Sequence, residues 1–255
     1  MTVVAIIQAR MRSTRFPGKV LAEINNQALL EILIARVKRS KLIDKIVVAT
    51  TTEVDDDGLC DWLSMNSIEY FRGSERDVLD RFWHCAKLFK ADLVVRITAD
   101  DPLKDPDIID EIVGVLQSSD SIDYVSNTLK LSYPEGLDVE AFKFRALEKA
   151  NAEALLDSER EHVTPYIWKN SKKFKLHNVE MSPDLSTWRW TVDKPEDLDF
   201  IKSLLHLAGD DIFLGYRALI EIVKRNLFLI DINSNTARNE GYISSVSVEK
   251  INGQR

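Results

Sequence analysis

The sequence predicts an α/β protein built as three layers around a mainly parallel sheet. Three observations carry the prediction. Through residue 127, short runs rich in Val and Ile alternate with longer stretches of helical period, the pattern of successive βαβ units. The apolar runs are continuous rather than alternating, as strands covered on both faces require. And 45% hydrophobic residues with only 9 Gly and 7 Pro among 255 residues exclude disordered and collagen-like chains.

Taken in order, the strands are expected at Val3–Gln8, Lys45–Thr50, Glu69–Arg72, Leu93–Thr98 and Tyr124–Asn127. Between them, Ala28–Lys38 sets Leu29, Leu30, Leu33 and Val37 on one stripe, and Val78–Phe89 does so with Leu79, Phe82, Cys85 and Phe89. Asp105–Leu116 has Pro106 in its first turn, where the missing N–H is tolerated. From about Lys130 the alternation falters. Tyr133–Asp138 reads as a turn, Phe144–Leu156 and Glu159–Lys169 as helices, Phe174–Val179 and Trp188–Val192 as strands. Residues 130–188 are therefore expected to form an inserted α+β arm, for substrate or dimerisation, within one domain spanning 1–255. Helices at Glu196–Leu207 and Tyr216–Lys224 follow, and the last thirty residues are of mixed character.

A net charge of −7 argues against a nucleic-acid binder, which needs a surplus of Lys and Arg on one surface. Val3–Ile7 is too short for a signal-peptide core or a membrane span, so a cytoplasmic location is expected. Cys60 and Cys85 lack CxxC spacing and read as reduced, buried thiols.

Within this acidic chain, the loop after the first strand, Gln8-Ala9-Arg10-Met11-Arg12-Ser13-Thr14-Arg15-Phe16-Pro17-Gly18-Lys19, carries four cationic side chains. Ligands of open parallel sheets sit beyond the carboxyl ends of the strands, where this loop begins. Its Arg forks, Lys19 and accessible amides suit a polyphosphate; a solvated basic loop is the plainer reading. Neither GxxxxGK[ST] nor GxGxxG is present. Two acidic groups stand at other predicted strand ends. Asp100-Asp101-Pro102 follows the fourth strand, and Asp193-Lys194-Pro195-Glu196-Asp197 follows Trp188–Val192. Such acids suit Mg²⁺, which takes one or two carboxylates together with phosphate oxygens, but each also suits a helix N-cap.

Ala5–Leu21 resembles the opening signature of the CMP-sugar-acid synthetases, the 3-deoxy-manno-octulosonate and acylneuraminate cytidylyltransferases, and most closely the group of spore-coat polysaccharide biosynthesis protein F. The resemblance implies a nucleotide-diphospho-sugar-transferase fold and Mg²⁺-dependent transfer of CMP from CTP to an acidic sugar. It implies that Arg10 and Lys19 contact the triphosphate, with Ala9, Ser13, Thr14 and Arg15 shaping the cradle. Asp100 and Asp193 become the metal ligands, Asp100 also catalytic, and Asp101 a supporting or capping residue. Arg76, in Gly73-Ser74-Glu75-Arg76-Asp77, matches a nucleotide-binding Gly/Arg motif, although an ion pair with Asp80 is an ordinary alternative. Glu135-Gly136-Leu137-Asp138, Arg160–Tyr166 and Asn239–Tyr242 resemble further phrases of the spore-coat group, which brings in Asp138 and His162 as sugar-pocket or dimer-seam residues. A homodimer is implied as well. Gln8 and Thr98 depart from the Pro and Gln common at those points. On the residues alone, a glycosyltransferase or a non-catalytic nucleotide-binding protein of the same fold stays open.

Overall fold

The apolar run of the first strand alternates between two cores, and this alternation organises the molecule. In the computed structural model, which describes residues 1–234 and 236–252, β1 (Val3–Gln8) sends Val3, Ala5 and Ile7 into one core and Val4 and Ile6 into the other. All five are buried, as a central strand covered on both faces demands.

The chain continues through a tight hairpin, β2 (Glu23–Ile24) and β3 (Gln27–Ala28), turned by Asn25 and Asn26 with φ of 51° and 64°. Both values lie in the left-handed region that a type I′ turn needs and that Asn tolerates. Then follow α1 (Leu29–Val37), β4 (Lys45–Thr51), α2 (Asp57–Met65), β5 (Tyr70–Gly73), α3 (Val78–Leu88), β6 (Leu93–Thr98), α4 (Pro106–Gln117) and β7 (Tyr124–Ser126). The second half adds β8 (Glu140–Lys143), α5 (Phe144–Glu153), α6 (Asp157–His162), α7 (Pro165–Lys169), β9 (Leu176–Asn178), α8 (Pro195–Leu207), α9 (Tyr216–Arg225), α10 (Phe228–Ile232) and α11 (Glu240–Asn252).

The main sheet has the order β5-β4-β1-β6-β8-β7-β9, and only β8 runs against its neighbours. Residues from α1, α2, α4, α8 and α9 fill the core on one face, those from α3, α5 and α7 the core on the other. This is the three-layer α/β arrangement expected. Because β4 and β6 flank β1, the strand order reverses there, and the carboxyl ends of β1 and β6 border a crevice.

Several elements differ from expectation. Residues 130–188 do not stand wholly apart, because they supply β8 to the interior of the sheet and β9 to its edge. β8 is hard to read because Glu140 and Lys143 interrupt its apolar pattern; both are buried, Glu140 pairing with Arg96 and Lys143 donating to the carbonyls of Ser119 and Asp120. Trp188–Val192 is no strand of the sheet. It bridges instead to Glu135, with the Trp190 amide 2.7 Å from the Glu135 carbonyl. The helix expected over Glu159–Lys169 is split by Val163 at φ 71°, and Pro165 opens the second piece at a position that tolerates it.

Candidate active site

Lys19 is delivered to the crevice by local backbone chemistry. The Gly18 amide closes the loop on the Met11 carbonyl at 2.9 Å, and Gly18 itself sits at φ 72°, where a side chain would be strained. A single 3₁₀ turn from Lys19 to Leu21 then tucks Lys19 inward. Its Nζ donates to Asp100 Oδ2 at 2.8 Å, Asp193 Oδ1 at 2.7 Å and the Val192 carbonyl at 2.8 Å. Burial alone would lower this ammonium, but the two carboxylates outweigh it and raise it above its ordinary value.

The two acids meet because their segments are stitched together. The Val192 amide donates to the Asp100 carbonyl at 2.8 Å, so the end of β6 and the approach to α8 run side by side. Behind them Arg189 spans Glu135, Asp193 and Asp197, and Asn233 donates to Asp197. Asp197 accepts from the Asp193 and Lys194 amides at the start of α8, so it does cap a helix as its sequence setting suggests. Burial works against ionisation of Asp193, yet Lys19 and Arg15 hold its carboxyl down at about 2. Asp101 has another role than capping: it accepts from Thr98 Oγ1 and Lys104 Nζ, and Asp105 caps α4 itself.

The remaining loop residues fall into two sets. Arg15 is turned toward the acids, with Asp193 and Glu240 each at 2.8 Å. Ala9 is buried, its amide on the Ala49 carbonyl, and the Ser13 hydroxyl accepts from the Phe16 amide. Arg10 and Thr14 are exposed, and Arg10 has no ion pair among the described residues. Arg76 is exposed too; among the described residues it forms no pair with Asp80, which lies 3.1 Å from His84.

Beside the acids opens a cavity of about 430 Å³, whose wall includes Asp100, Asp193, Arg15, Asp138, His162 and Trp168. That volume suits a small ligand. Burial raises the Asp138 carboxyl to about 7 despite its contact with Arg238. His162 lies 3.1 Å from Ser245 and stacks edge-on with Tyr242 of α11, and burial lowers it. The structure thus lines one space with Arg15, Asp100, Asp193, Asp138 and His162, holds Lys19 against two of those acids, and leaves Ala9, Arg10, Ser13, Thr14 and Arg76 outside its wall.

Sequence reading passed over the cations behind this site. Arg96 lies within an apolar strand and Arg189 between two tryptophans; a charge inside a buried run was the available signal, since such a charge must find a partner. Gly136 is a further hidden determinant. At φ 101°, a Cβ there would come within 2.6 Å of the Trp190 backbone, so only glycine lets the two segments meet.

Comparison with known proteins identifies the family. The cytidylyltransferase family matches residues 4–223. An uncharacterized protein of Methanocaldococcus jannaschii is 39% identical over 92% of this chain and 96% of its own. The spore coat polysaccharide biosynthesis protein SpsF of Bacillus subtilis is 34% identical over 88% and 95%. Among solved structures, a cytidylyltransferase from Leptospira borgpetersenii superposes with a TM-score of 0.86 at 35% identity, covering 93% of this chain and 98% of the other. A CMP:2-keto-3-deoxy-manno-octonic acid synthetase complexed with CTP shares the fold, with a TM-score of 0.64 at 14% identity over 81% and 99%. The chain belongs to the cytidylyltransferase family and is a nucleotidyltransferase.

Proposed function

We propose that this protein transfers CMP from CTP to an acidic sugar of the 3-deoxy-octulosonic or nonulosonic class, releasing pyrophosphate, in surface polysaccharide biosynthesis. One observation carries the reading: the Lys19 ammonium held between Asp100 and Asp193, two acids on the wall of a sugar-sized cavity. The SpsF relative supports the polysaccharide context, and the CTP complex of a fold relative supports the nucleotide.

Mg²⁺ fits the donor set. No group of three His, Cys, Asp or Glu poised for a metal exists among the described residues, but Asp100 and Asp193 already converge on one cation, and Mg²⁺ commonly takes two carboxylates with phosphate oxygens completing its shell. Bound by these two acids, Mg²⁺ would neutralise the triphosphate and favour deprotonation of the attacking hydroxyl.

The chain's own groups account for the rest. With Asp100 and Asp193 committed to the metal, Lys19 and Arg15 are free to neutralise phosphate oxygens, as Arg10 is already. The anomeric hydroxyl of the sugar attacks the α-phosphorus; the new O–P bond forms as the bond from the α-phosphorus to the oxygen bridging to the β-phosphate breaks, pyrophosphate leaves with that oxygen, and the hydroxyl proton passes to solvent. Charge moving onto pyrophosphate is met by fixed cations, the main means by which proteins catalyse such transfers. Arg96 on the cavity wall, whose Nη1 pairs with Glu140, has further N–H groups for a sugar carboxylate. The same reading places the enzyme in the cytoplasm and as a homodimer through residues 130–188, the latter checked by sedimentation. No helix among the described residues is long and apolar enough to cross a membrane.

The test is pyrophosphate release with Mg²⁺, offering CTP and the other nucleoside triphosphates against a panel of sugar acids. Turnover with CTP and one sugar supports the reading; release of a nucleoside diphosphate from a nucleotide sugar, without CTP turnover, replaces it with glycosyl transfer.

A further inference from the structure

Three phrases of the sequence stand apart from Lys19 and its two acids: Glu135–Asp138, Arg160–Tyr166 and Asn239–Tyr242. The fold brings them together at the cavity. Arg238, just before the third phrase, donates from Nη1 to the Tyr133 and Ser186 carbonyls at 2.9 and 3.1 Å and pairs with Asp138 through Nη2. The Asn239 amide donates to Glu135 Oε1 at 3.2 Å, and Asn239 itself, at φ 58°, turns the chain into α11 in a conformation that Asn tolerates. From there Glu240 reaches Arg15 at 2.8 Å. The Tyr242 ring meets His162 of the second phrase edge-on, with centroids 5.2 Å apart, and the Trp168 ring of α7 at 5.8 Å.

Core packing does not hold α11 in this place. A helix docked by the hydrophobic effect buries an apolar stripe, but no residue from Glu240 to Glu249 is buried, and Ile243 and Val248 are exposed. Polar contacts to α6 fix it instead. Ser245 donates to Glu161 at 2.7 Å and lies 3.1 Å from His162, and Glu249 accepts from the Ser158 amide and hydroxyl. The result is that Asn239–Tyr242 line the cavity, as do His162 and Trp168. Its wall therefore has two chemistries: ionic groups at Asp100, Asp193 and Arg15, and aromatic rings where α11 meets α6 and α7. Aromatic groups in a ligand cavity cover apolar parts of the ligand, and a pyranose offers the C–H groups of one of its faces.

We propose that the start of α11 is the acceptor wall of the site: Tyr242, set between His162 and Trp168, packs against the C–H face of the sugar, and Arg238 and Asn239 position it by gripping Asp138 and Glu135. The proposal rests on the sugar-acid reading above. Tyr242 is the residue that touches the sugar; Arg238 and Asn239 act through it. A nucleobase stacked on the same ring is the competing occupant, and the CTP arm of the experiment separates the two.

The experiment sets the full-length wild type beside Tyr242→Ala, Tyr242→Phe and, as a control on an exposed residue of the same helix, Ile243→Ala. Pyrophosphate release is measured over ranges of CTP and of whichever sugar acid the wild type turns over, 3-deoxy-manno-octulosonic or N-acetylneuraminic, and calorimetry gives the CTP affinity without sugar. Tyr242→Ala is expected to lower kcat/KM for the sugar roughly tenfold, through KM, the scale for losing one aromatic contact and the area it covers. Its CTP affinity and thermal midpoint should match the wild type. Tyr242→Phe keeps the ring and should stay within about twofold of the wild type, as should Ile243→Ala. An unchanged sugar KM in Tyr242→Ala, an equal loss in Ile243→Ala, or a loss of CTP affinity as large as the loss for sugar would each overturn the proposal and leave the cytidylyl reading standing. Wild-type protein that binds CTP but releases pyrophosphate with neither sugar acid would overturn the sugar-acid reading and this proposal with it.

Discussion

Replacing Lys19 by Ala removes the cation that two half-buried acids share, and the structure gives the size of the effect. Breaking a buried ion pair costs about 3–5 kcal/mol when one charge is left alone. Here the loss should be smaller, about 2–3 kcal/mol, because Asp193 keeps Arg15 and Arg189 and the Asp100 side chain is 26% exposed to the cavity. For a chain of this size that is a fall in Tm of roughly 5–10 °C. The effect on catalysis is separate. Loss of one preorganised donor to transition-state charge lowers kcat by about 10²–10³. The same two carboxylates, freed of the ammonium, should take Mg²⁺ more readily, so added Mg²⁺ should raise the Tm of Lys19→Ala more than that of the wild type. Differential scanning fluorimetry with and without Mg²⁺, beside a pyrophosphate-release assay, reads both. A fall in kcat below tenfold, or equal Mg²⁺ shifts in the two proteins, would refute the reasoning.

Two further perturbations test other parts of the account. Gly136→Ala puts a Cβ against the Trp190 backbone at a left-handed φ, and should cost at least about 2 kcal/mol in a denaturant titration; a midpoint equal to the wild type would show that the two segments tolerate separation. Asp138, faced by Arg238, Lys104, Asp101 and Glu135, has its carboxyl raised to about 7 in the fold. Its sign is that of an acid favouring the protonated form: no penalty below about 4, the ordinary range, then declining stability as pH rises toward 7 and a level contribution above. Asp138→Asn should therefore flatten the stability profile between pH 4 and 7 relative to the wild type, and parallel profiles would contradict the assignment.

What could be read in the sequence follows the physics of each element. The parallel strands were legible because burial on both faces leaves an uninterrupted apolar run, as in Val3–Ile7 and Leu93–Val95, and α4 because Asp105 and Pro106 mark its start. The antiparallel β8 was not, since its pattern is broken by Glu140 and Lys143, whose partners come from elsewhere in the chain. The same division holds for the site. Asp100 follows the end of β6, and Lys19, Asp100 and Asp193 all lie in phrases that resemble a family, so they could be named before their contacts were known. Arg189 and Arg238 could not, because their roles depend on which carboxylates lie near in space.

The central claim is that Asp100 and Asp193, with Lys19 between them, form the centre of a CTP-dependent nucleotidyl transfer. The most direct test is ³¹P NMR of the protein incubated with CTP, Mg²⁺ and a turned-over sugar acid, set against Asp193→Ala under the same conditions. The account predicts one phosphodiester signal for each pyrophosphate released by the wild type and neither from the variant. Undiminished phosphodiester formation by Asp193→Ala would contradict it.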